Sequence, residues 1–88
     1  MSADDILTRV GRAIRARREA TGLSQEAFGD RIGLNRAYYG DIERGTRNVT
    51  VRNLERVAKG LGTTLGVIFT EADALAAGQA AKRSARKA

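Results

Sequence analysis

Between Gln25 and Arg44 the chain reads QEAFGDRIGLNRAYYGDIER, a segment punctuated so closely that few backbones can satisfy it. Phe28, Ile32, Leu34, Tyr39 and Ile42 recur at the spacing of two short helices joined by a tight turn. Gly33 can take a positive φ where the first helix must stop, and Asn35 offers a side-chain oxygen to cap the second. Leu34 before that cap and Tyr39 at the fourth helical position have the spacing of a hydrophobic staple, which fixes how the chain enters the helix. Gly29 places no side chain where the two helices are expected to cross closely.

The flanking segments extend the same grammar. Ile6, Leu7, Val10 and Ile14 predict a first helix, capped by Ser2 or Asp4 and ended by Gly22. Ser24 caps the second helix, and the third runs to Arg44 and stops at Gly45. Thr50 caps a fourth, whose Val51, Leu54, Val57, Ala58 and Leu61 form one apolar stripe. Thr63 or Thr64 opens a short fifth helix with Leu65, Val67, Ile68 and Phe69. Thr70 and Asp73 then resemble a capping box, so that 71–77 adds a turn or extends the fifth helix. With no strand pattern, the expectation is all-α: a compact five-helix bundle over residues 1–77. The remainder, 78–88, has no large apolar residue and is expected to be a basic, disordered tail.

Composition narrows the function classes. A single 88-residue domain has a core worth only about 3 to 5 kcal/mol, so a partner subunit is expected. The net charge of +6 favours a polyanion, but residues 1–77 carry twelve basic and ten acidic side chains, so any basic face there comes from placement. The chain has no Cys and no His, which removes disulfides, thiolate nucleophiles and the usual general base and zinc ligands. No enzyme activity, metal, cofactor or small-molecule ligand is expected. No apolar run approaches the roughly 18 residues of a membrane span, so the expected setting is cytoplasmic with no membrane partner.

Three stretches, GLSQEAF, GLNRAYYGDIERG and LERVAKGLG, together resemble the Cro/C1-type (XRE) helix-turn-helix regulators with a lambda-repressor-like DNA-binding domain. Within that family, IERGTRNVTVRNLERVAKGL is most similar to the controller proteins of restriction-modification systems. The resemblance implies a transcriptional regulator that binds a two-fold symmetric operator on double-stranded DNA as a homodimer. For a controller it implies binding to its own promoter, activating at low occupancy and repressing at high occupancy. It also implies that Gln25 is a backbone-binding glutamine and that Arg18 pairs structurally with Glu43.

A helix in the major groove presents its first turn to base edges, while the preceding helix offers its N-terminal amides to a phosphate. The reader is therefore helix 35–44. Arg36 is the first candidate, because a guanidinium can form two parallel hydrogen bonds to guanine O6 and N7. Ala37 against a thymine methyl, Tyr38 and Asn35 are further base-contact candidates, and Asp41 is expected to exclude wrong bases or orient Arg36. Phosphate contacts are expected from Gln25, Arg44, Arg47, Asn48, Arg52 and Asn53. Gly40, in mid-helix, is expected to admit a close approach of the DNA backbone or to let the helix bend. Leu65, Val67, Ile68 and Phe69 are the expected dimer interface. The rival expectation is an antitoxin-like protein-interaction module in which DNA binding is secondary.

Overall fold

A computed structural model describes residues 5–87, with side chains to residue 76, and contains five helices and no strand among them. Helix α1, Ile6–Thr21, is capped not by Ser2 or Asp4 but by Asp5, whose carboxylate accepts from the Leu7 amide at 3.0 Å. Helix α2, Gln25–Ile32, is capped by Ser24, which accepts from the Ala27 amide at 3.1 Å. It ends at Gly33, whose φ of 74° is a conformation that other residues adopt only with strain. Asn35 Oδ1 accepts from the amides of Ala37 and Tyr38, at 2.9 and 3.2 Å, and so starts α3, Arg36–Arg44. Both ends of the turn are thus held by local hydrogen bonds.

Thr50 caps α4, Val51–Gly60, accepting from the Asn53 amide at 3.1 Å. Thr64 opens α5, Leu65–Lys87, accepting from the Val67 amide at 3.2 Å. Helix α5 is continuous through the expected capping box: Thr70 does not cap, because its hydroxyl donates back to the Gly66 carbonyl at 2.8 Å inside the helix. The expected boundary at 77 and the tail reading of 78–88 fall where side chains lie outside the described residues.

One core collects Val10 and Ile14 of α1, Phe28 of α2, Tyr39 and Ile42 of α3, Leu54 and Val57 of α4, and Ile68 and Ala72 of α5. Ile6, expected in the first helix's apolar pattern, is largely exposed. The rings of Phe28 and Tyr39 lie 5.3 Å apart and tilted by 54°, within the contact range of aromatic pairs. Helix α1 packs against both α3 and α5. It comes close to the end of α3 at Gly11, where a Cβ would stand 2.6 Å from the Ile42 carbonyl oxygen. Gly29 is less demanding than expected, since a Cβ there would meet Leu34 O and Tyr39 Cβ at 3.4 and 3.5 Å, ordinary contact distances.

Candidate nucleic-acid interface

The inner face of α3 is built around a buried carboxylate. Arg18 donates from Nε and Nη2 to the two oxygens of Glu43, at 2.7 and 3.1 Å, with side chains only 9% and 1% exposed. Tyr39, buried with Phe28, donates its hydroxyl to the same carboxylate, and Gln25 donates its amide at 2.8 Å. Burial alone would push the Glu43 carboxyl up, but the donors Arg18, Tyr39 and Gln25 hold it below the usual range. The Tyr39 phenol is pushed well above its ordinary value, first by burial and then by the neighbouring Glu43. The Tyr39 ring therefore has both room in the core and a partner for its hydroxyl. Gln25, expected on a phosphate, is half-buried, and its amide is engaged with Glu43.

The outer face of α3 carries the residues expected to read bases. Arg36, its first residue, is exposed and ion-paired to Glu26 in the first turn of α2. Ala37 is exposed beside it, and the Asn35 side-chain oxygen is taken up by capping. Tyr38 is half-buried, accepting from Asn53 Nδ2 at 3.0 Å, while the Arg47 guanidinium lies 5.2 Å from its ring centre. Asn53, another expected phosphate ligand, is thereby tied to α3.

Asp41 does not orient Arg36. Its carboxylate accepts from Arg44 at 2.7 Å and from Nε and Nη2 of Arg47 at 3.2 Å, and these two guanidinium groups hold it below the usual carboxylate range. The i, i+3 spacing from Asp41 to Arg44 was a readable signal for this pair. Gly40 is not open to an approaching backbone, because the Arg44 guanidinium covers it: a Cβ there would be 3.1 Å from both terminal nitrogens. Helix α3 continues unbroken through Gly40. Asn48 and Arg52 are exposed.

The apolar surface of α5 is narrower than expected. Ile68 is 1% exposed and belongs to the protomer's own core, and Leu65 is half-buried against that core. Val67 and Phe69, 38% and 37% exposed, remain on the surface with Leu75. Among the described residues no group of His, Cys, Asp or Glu is placed to hold a metal ion, and no helix is long and apolar enough to cross a membrane.

The geometry agrees with known proteins. Residues 14–68 match the helix-turn-helix family model. The control protein C.MunI of a Mycoplasma species is 46% identical over 69 residues, which are 77% of this chain and 93% of that protein. Among solved structures, the restriction-modification controller C.Esp1396I, crystallised as a tetramer with its natural 35 base-pair operator, is 34% identical. Its TM-score is 0.69 over 76% of this chain and 88% of that one. The controller C.AhdI of Aeromonas hydrophila is 38% identical, with a TM-score of 0.65 over 75% of this chain and 94% of that one. This chain belongs to the helix-turn-helix family, on the branch that holds the controller proteins of restriction-modification systems.

Proposed function

We propose that this protein is a sequence-specific DNA-binding transcriptional regulator of a restriction-modification system, acting in the cytoplasm and carrying no enzymatic activity of its own. The observation that carries this reading is the outer face of α3. A capped helix begins with an exposed arginine and an alanine, and it is flanked by the N-terminus of α2 and by the Arg44 and Arg47 rim. Inserted in the major groove, that face puts Arg36 against a guanine edge and Ala37 near a thymine methyl. Arg44, Arg47, Asn48 and Arg52 meet phosphates on either side. Gln25 and Asn53 meet them only after exchanging their present partners, or through the backbone amides of their helices.

The operator is a two-fold site read by a homodimer, joined through the surface of α5 around Val67 and Phe69. Two reader helices then sit about 34 to 36 Å apart. C.Esp1396I, which binds its operator as a tetramer, supports the oligomeric reading. Selecting bound sites from random duplexes tests the proposal, with a palindromic consensus as the expected result. Arg36→Ala should then cost about 1 to 3 kcal/mol at one base pair, whereas Arg47→Ala should weaken all sequences alike and reduce the salt slope by about 1. Equal losses on every sequence for both variants would reject the division of roles.

A further inference from the structure

Arginines in this fold meet carboxylates in more than one way. Arg18 closes Nε and Nη2 on Glu43, and Arg17 closes the same pair on Glu71 at 2.6 and 3.0 Å. Both are two-point clasps between helices. Arg36 meets Glu26 differently, through Nη2 alone and on a single carboxylate oxygen. A guanidinium has five N–H donors, so this single-point contact leaves four of them for another planar acceptor.

The contact also crosses the turn. Glu26 is the second residue of α2 and Arg36 is the first of α3, and the intervening backbone is fixed by Gly33 and the Asn35 cap. Both side chains are more than half exposed, so the pair adds little to folding stability. Its consequence is positional. A free arginine at a helix start samples many rotamers, all but a few of which must be given up when two bonds form to a base edge.

We propose that Glu26 is a positioning residue for base reading, holding the Arg36 guanidinium from behind while its remaining donors engage guanine. The inference rests on Arg36 being the base reader. It makes a prediction of unusual sign. A carboxylate beside DNA repels every duplex, so removing it for charge reasons alone tightens binding to all sequences. Removing a positioning carboxylate instead weakens binding only where Arg36 reads its base.

The test uses full-length protein, the duplex selected from random DNA, the same duplex with the Arg36-dependent base pair replaced, and an unrelated duplex, all at one salt concentration. Glu26→Gln should bind the selected duplex roughly two- to tenfold more weakly, the range for immobilising one long side chain. It should bind the unrelated duplex as well as the wild type or better, and lose preference at that one base pair. Adding Glu26→Gln to Arg36→Ala should change specificity no further. Selected-duplex binding by Glu26→Gln equal to or tighter than wild type overturns the proposal, as does a loss that persists in the Arg36→Ala background. If Arg36→Ala keeps every base preference, the reader assignment itself fails and the positioning role falls with it. That outcome is recognised from the single Arg36 variant alone.

Discussion

Glu43 is the residue on which the inner side of the helix-turn-helix depends, since one carboxylate receives donors from α1, α2 and α3. Breaking a buried pair strands a charge, so Arg18→Ala should cost about 3 to 5 kcal/mol in denaturant unfolding, a large share of a small domain's stability. Tyr39→Phe keeps the ring packing and removes one donor, for an expected loss of about 1.5 to 3 kcal/mol. Because the Glu43 carboxyl is lower in the folded chain than in the unfolded one, its contribution is complete above the unfolded value near 4.3 and is lost as pH falls through the folded value. The raised Tyr39 phenol acts in the other direction: its contribution is complete below about pH 10 and declines above it. Melting temperature against pH should therefore fall at both ends, with a smaller acid limb in Glu43→Gln and a smaller alkaline limb in Tyr39→Phe. The family resemblance paired Arg18 with Glu43, but the roles of Gln25 and Tyr39 in the same network were not legible, because convergence from three helices leaves no local spacing to read.

At the scale of helices, what a residue does to its own backbone was readable and what it does to a distant helix was not. Ser24, Asn35 and Thr50 cap as their positions predicted, since a cap and its amides lie within three residues. Gly11 carried no such signal, although it stands where α1 comes close to the end of α3. Gly11→Ala would drive a Cβ into the carbonyls that end α3, and backbone yields less than a side chain, so a loss at or above the usual 1 to 3 kcal/mol of overpacking, roughly, is expected. Gly29→Ala should be near neutral, its ordinary contacts offset by about 1 kcal/mol of gained helix propensity. Thermal unfolding of the two variants side by side checks the contrast. In α5 the adjacent apolar residues Val67, Ile68 and Phe69 fit either helical phase. Ala72, four residues after Ile68, was the cue that Ile68 faces inward. The pairing of Glu26 with Arg36 had no local spacing to read, because the two residues lie on either side of the turn.

For the whole molecule, the charge that matters is its distribution. The net +6 overstates the basic character of the folded body, and several arginines at the reading face are already matched by Glu26 and Asp41. The proposed association draws on a different surface. Val67→Asp with Phe69→Asp should leave the helical content intact and convert the dimer to monomer in sedimentation at micromolar concentration, with loss of operator binding. Ile68→Asp should instead unfold the protomer. A stable wild-type monomer would rule out the dimer. Between the association surface and the reading surface lies α1, clasped to α5 through Arg17 and Glu71 and pressed against the end of α3 at Gly11. In the proposed dimer α1 would therefore work as the arm of a caliper: its seating on each neighbour would set how far apart the two reader helices stand. The gap between half-sites on the operator is then gauged by a helix that need not touch DNA.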